Sequence, residues 1–107
     1  MESMVLDNTS IQKQYQRYLI KLSSDLDIIK ILIEKDNTIY ESNFNLEELH
    51  QYQLLRSFTT QEIIEFIRLI DIEIKEENMN LKLILISTLP NHSNVILNLQ
   101  KKKYNIK

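Results

Sequence analysis

The stretch from Asn78 to Leu99, NMNLKLILISTLPNHSNVILNL, constrains this chain more than any other. It holds a single charge, Lys82, no acid, and the chain's only proline, Pro90. Elsewhere charge is plentiful, since 26% of the residues are Asp, Glu, Lys or Arg. A run this apolar leaves water, either into the chain's own core or against a partner. Leu81, Ile84, Leu85 and Thr88 line one helical face, while Leu83, Ile86 and Leu89 line the other. A helix apolar on all sides is a central core element or an interface. Pro90 stops it. Ser93 or Asn94 then caps a last helix that turns Val95, Ile96 and Leu99 inward.

Helical spacing recurs upstream. Ile11, Tyr15, Tyr18, Leu22, Leu26, Ile29 and Ile33 follow one another in steps of three and four, with an interruption at Ser23-Ser24-Asp25. Asn45 is placed to cap a helix through LEELHQYQLLRS, with Glu47 and Glu48 against its positive end. Thr59-x-x-Glu62 is a capping box opening a helix over roughly 60–77, with Ile63, Phe66, Ile67, Leu69, Ile70 and Ile74 as its apolar positions. The chain contains no glycine, and tight hairpins favour glycine strongly. The expectation is therefore an all-α fold: one domain over 1–107, a compact bundle of about five helices, with a frayed 1–7 and a basic C-terminal tail over 100–107.

The alternative is α+β. IIKILIE, KDN and TIYESNF read equally as a hairpin over 28–43, and LKLILIS and NVILNLQ as a second one. That order, helix–hairpin–helix–hairpin, resembles the roadblock-type scaffold domains and implies a protein-binding scaffold. ILISTLP followed by NVILNL is similar to the helix, Leu-Pro, helix passage of copia-type retrotransposon Gag proteins, which implies a self-assembling helical shell. No zinc knuckle follows it here.

Charge is unevenly spread. Residues 1–77 carry eight Lys/Arg and all fifteen acids, net −7; residues 78–107 carry five lysines and no acid, net +5. There is no cysteine, hence no disulfide or thiolate chemistry. MESMVLDNTS lacks a basic region ahead of an apolar run, so no signal peptide is expected, and no stretch has the length of a membrane span. The implied setting is intracellular, cytoplasmic rather than nuclear. The absence of Gly and Ala alongside abundant Ile and Asn points to an AT-rich genome.

Signs of catalysis are few. Glu47-x-x-His50 has the spacing of a di-metal ligand pair, but a second such pair is lacking. His92 adjoins Ser93, and neighbours in sequence rarely form a nucleophile–base pair. The helix following Ser57-Phe58-Thr59 would present Glu62 and Glu65 to DNA, the wrong charge for reading it. The expectation is a non-enzyme without cofactor or metal. Its leading function is an assembly or adaptor subunit that binds a protein partner, or itself as a homo-oligomer, through Leu81, Leu83, Ile84, Ile86, Leu89, Val95, Ile96 and Leu99. The second reading is a nucleic-acid or ribonucleoprotein-associated factor. It would use Lys101, Lys102, Lys103 and Lys107 on phosphate.

Overall fold

A computed structural model describes residues 10–102. They form seven antiparallel strands and two short helices. β1 (Ser10–Tyr15), β2 (Tyr18–Asp25), β3 (Ile28–Lys35) and β4 (Thr38–Asn45) run as a continuous meander. Then come α1 (Leu46–Leu49), a 3-10 turn (Gln53–Leu55) and α2 (Thr60–Leu69). β5 (Ile72–Glu76), β6 (Asn80–Leu85) and β7 (Val95–Lys102) form a second meander. The two join through β4 and β7 into one curved half-barrel sheet of order β1-β2-β3-β4-β7-β6-β5. α2 lies against the inner faces of β1, β2 and β3.

This overturns the helical bundle. Its physical reason lies in the alternation. Ile20 and Leu22 on β2, Ile29, Ile31 and Ile33 on β3, and Leu81, Leu83 and Leu85 on β6 are all fully buried. Between them stand Lys21, Lys30 and Lys82, which pair with Glu34 (3.1 Å), Glu41 (3.0 Å) and Glu77 (3.3 Å) at the surface. Period two puts these three lysines outside and the core residues inside, which no helix over these segments achieves. The α+β layout is also corrected, because its first helix is β1 and β2. The segments it assigns to hairpins are strands, β3 with β4 and β6 with β7. The Gag-like helix, Leu-Pro, helix passage is likewise β6, a loop and β7.

Hairpins form without glycine because other residues take its conformation. Gln16, Leu26 and Asp36, each the first of a two-residue turn, have φ of 55°, 57° and 57°. The left-handed region costs an L-residue roughly 1–2 kcal/mol. Strands of six to eight residues zipped in register on both sides of each turn offset it.

The capping box opening α2 is formed: Thr59 Oγ1 accepts from Glu62 N–H at 3.1 Å and Glu62 Oε1 from Thr59 N–H at 2.9 Å. The helix stops at Leu69 instead of running to 77, because Ile72-Glu73-Ile74-Lys75 alternates and joins the sheet. Ile63, Ile64 and Ile67 are fully buried in the hollow of the half-barrel. The Lys13 ammonium, pointing inward from β1, donates to the carbonyls of Ile67 (2.9 Å) and Ile70 (2.5 Å) at the C-terminus of α2. Cations suit that end of a helix. Burial nevertheless lowers the Lys13 pKa, against the raising effect of Asp71.

Candidate functional site

Among the described residues, β4 and β7 pair only through Ile39–Glu41 and Gln100–Lys102. Beyond Glu41 the two strands part. The cause is local. Asn45 Oδ1 accepts from Glu48 N–H and Glu48 Oε1 from Asn45 N–H, both at 2.9 Å, and this capping box turns the chain out of the sheet into α1. Leu46 N–H bonds the Asp27 carbonyl at 2.8 Å and anchors the departure. Leu49 and Leu55 then sink into the core as a wedge.

The wedge does not complete the ladder of β7. Lys101 N–H bonds the carbonyl of Met79, just before β6, so the odd residues of β7 face β6. The even ones face β4, and the Ile96 carbonyl shows it by accepting the Tyr52 hydroxyl at 3.0 Å. The Ile96 N–H and both backbone groups of Asn98 therefore point into the split, beyond the reach of β4. A cleft of about 250 Å³ opens there, lined by Phe44, Leu49, Tyr52, Ile96, Leu97 and Asn98, with Glu48 and Gln51 at its rim. A larger hollow of about 460 Å³ lies over Ser23, Asp25, Ile28, Lys30 and Asn43, but its one cation, Lys30, is already paired with Glu41.

The residues expected at an interface divide into two sets. Leu81, Leu83, Val95 and Leu99 are fully enclosed in the chain's own core. Ile84 and Ile96 face each other across β6 and β7 on the outward side, Ile84 at 7% exposure and Ile96 at 44%. Ile86 is half-buried just past β6. Leu89 is exposed on the loop carrying Pro90, which folds on itself through Ser87 N–H to Asn94 Oδ1 (2.8 Å) and His92 N–H to the Leu89 carbonyl (3.1 Å).

Lys101 and Lys102 are exposed at the end of β7 and have no ion-pair partner among the described residues. Lys103, Lys107 and the segment 1–7 lie outside the described residues. His50 Nε2 lies 2.7 Å from the Phe58 carbonyl, and no group of three or more potential metal ligands occurs among the described residues. No helix among them is long and apolar enough to cross a membrane.

A cluster that sequence reading missed closes the half-barrel at one end. The Glu76 carboxylate on β5 accepts from the Tyr18 hydroxyl, the Lys35 ammonium and, at 3.1 Å, the Tyr40 hydroxyl. These come from β2, β3 and β4, so one side chain ties the edge strand β5 across the hollow to the opposite wall. The Lys35 and Tyr18 bonds hold Glu76 below the usual carboxylate range. Burial, then the bond to Glu76, pushes Tyr18 up to about 12 and raises Tyr40 as well. Lys35, bonded to Glu76, is raised. Both tyrosines stay protonated donors, and the cluster is a structural tie. The hydrophobic spacing around Tyr18 and Tyr40 gave no hint of it, because the residues meet only once the sheet curls.

The chain matches no protein-family model, no curated protein and no solved structure.

Proposed function

We propose that this chain is a non-catalytic assembly or adaptor subunit that docks a partner protein at the β4–β7 split. The partner contributes an extended segment alongside β7 and contacts the outward Ile84–Ile96 pair and Leu89. The observation that carries this reading is the unfinished ladder of β7. Backbone donors and an acceptor face a cleft whose walls mix apolar side chains with Glu48, Gln51 and Asn98, and strand addition uses such backbone groups. Main-chain bonds supply affinity there, and side-chain pockets supply selection.

A photo-crosslinking side chain placed at Asn98 tests this in the cells that make the protein. A discrete crosslinked species is expected from position 98, none from a control probe at Gln12 on the outer face of β1, and at least about tenfold less when Ile96→Lys is added. Equal labelling from both positions, or none at 98, would refute the docking site.

The second reading, a nucleic-acid-associated factor, is favoured by one observation: Lys101 and Lys102 are exposed and have no ion-pair partner among the described residues. Removing the tail from residue 100 does not test it, because Gln100–Lys102 hold β7 against β4. Lys101→Gln with Lys102→Gln keeps the pairing. Phosphate contacts predict single-strand binding that falls steeply with salt, with the salt slope reduced by about 1.4 in the double variant, roughly 0.7 per lost contact. An unchanged slope excludes these two lysines.

A further inference from the structure

No strand among the described residues pairs with the outer edge of β5. Asp71 C=O bonds Ile86 N–H at 3.0 Å and Glu77 N–H bonds Asn80 C=O at 2.8 Å, so the odd residues of β5 face β6. The backbone groups of Ile72, Ile74 and Glu76 therefore point away from the sheet, and β5 is the last strand in the order. α2 makes its main contacts with β1, β2 and β3. On the outward face β5 carries exposed Glu73 and Lys75. We propose that a second copy of this chain adds here, antiparallel, with Ile74 opposite Ile74 of the other copy.

The register follows from geometry. Around a two-fold axis through the Ile74 pair, Ile72 meets Glu76 of the other copy and exchanges both backbone bonds with it, as the two Ile74 residues do with each other. Glu73 and Lys75 then fall in the non-hydrogen-bonded positions, where side chains opposite one another come closest. Each Glu73 faces a Lys75 and each Lys75 a Glu73. Opposite charges at such positions attract, and like charges repel. Charges of one sign along the outward face would oppose self-pairing. This edge alternates signs around its own centre of symmetry. The partner inferred here is distinct from the one at the β4–β7 split, because the two sites use different strands.

Sedimentation equilibrium of the full chain at concentrations reaching the millimolar range decides the matter. The wild type is expected to be a weak dimer. Glu73→Lys puts lysine opposite lysine in both symmetric pairs, and Lys75→Glu puts acid opposite acid. Each variant alone should dimerise on the order of tenfold more weakly. An equimolar mixture of the two should restore the dimer, as should the double swap Glu73→Lys with Lys75→Glu, while Ile96→Lys leaves dimerisation unchanged. A wild type that stays monomeric throughout overturns the proposal. So do single reversals that dimerise like the wild type, or a mixture no tighter than its components.

Discussion

Leu97→Ala is expected to destabilise the fold by about 3 kcal/mol, while Ile96→Ala, one residue away, costs under about 1 kcal/mol. Leu97 is 2% exposed in the hollow of the half-barrel and Ile96 is 44% exposed on its outer face. Truncating a buried leucine loses its transfer free energy and leaves a cavity, whereas an exposed isoleucine leaves neither uncompensated. For a domain of this size the Leu97 change lowers Tm by roughly 15 °C. A helix ending at Leu99 with Ile96 inward demands the reverse order. Thermal or urea unfolding of the two variants distinguishes them: similar losses, or a larger loss at Ile96, contradict the strand.

Glu76→Ala is expected to cost about 2 kcal/mol at neutral pH, from hydroxyl bonds of Tyr18 and Tyr40 to a carboxylate. The Lys35 pair, screened by solvent, is left out of that figure. The pH dependence gives the effect a signature. Glu76 has a lowered pKa, so its contribution is complete above the ordinary carboxylate pKa and disappears as pH falls through the lowered folded value. Wild type and Glu76→Ala should therefore converge in acid. Tyr18 works in the other direction. Its pKa is raised to about 12, so its contribution is complete below the ordinary tyrosine value near 10 and is lost as pH rises through about 12. An absorbance titration should show one tyrosine ionising near 12, and Tyr18→Phe should remove that step. A Glu76→Ala variant as stable as the wild type at neutral pH, or a Tyr18 that titrates normally, would show that β5 is held without this tie.

What could be read in advance was local. Thr59 and Glu62 announce the start of α2, and Asn45 that of α1, because a capping box involves only four residues. The burial expected of 78–99 holds only for Leu81, Leu83, Ile84, Leu85, Val95, Leu97 and Leu99, whereas Met79, Leu89 and Ile96 are exposed. The period was not legible. In 18–33 the apolar residues are dense enough to satisfy steps of two and of three or four at once. Ile29, Ile31 and Ile33 sit on the buried face of a strand, and Ile29 and Ile33 also suit one face of a helix. The lysines could have decided it, because Lys21, Lys30 and Lys82 each interrupt at alternate positions. The lack of glycine misled for a physical reason: it bears on the cost of a turn, not on its existence. Gln16, Leu26 and Asp36 bear that cost, and Leu26, 80% exposed, does so with a large apolar side chain.

Of the candidate sites, the sequence pointed at Ile84, Ile96 and Leu89 but not at the cleft beside them. The split of β4 from β7 depends on the chain leaving the sheet after Asn45 and on Tyr52, just before the 3-10 turn, reaching Ile96 forty-four residues further on. Neither the direction of a backbone carbonyl nor the free edge of β5 is written in composition. Both follow from strand order, which joins β4 to β7 across the forty-nine intervening residues 46–94.

Residue-resolved amide hydrogen exchange along β7 distinguishes an open β4–β7 split from a closed one. Protected amides are expected at Leu97, Leu99 and Lys101, bonded to β6, and at Gln100, bonded to β4, with fast exchange at Ile96 and Asn98, which face the split. Uniform protection from 95 to 99 would mean a helix or a fully closed β4–β7 ladder, and neither would leave a cleft for a partner.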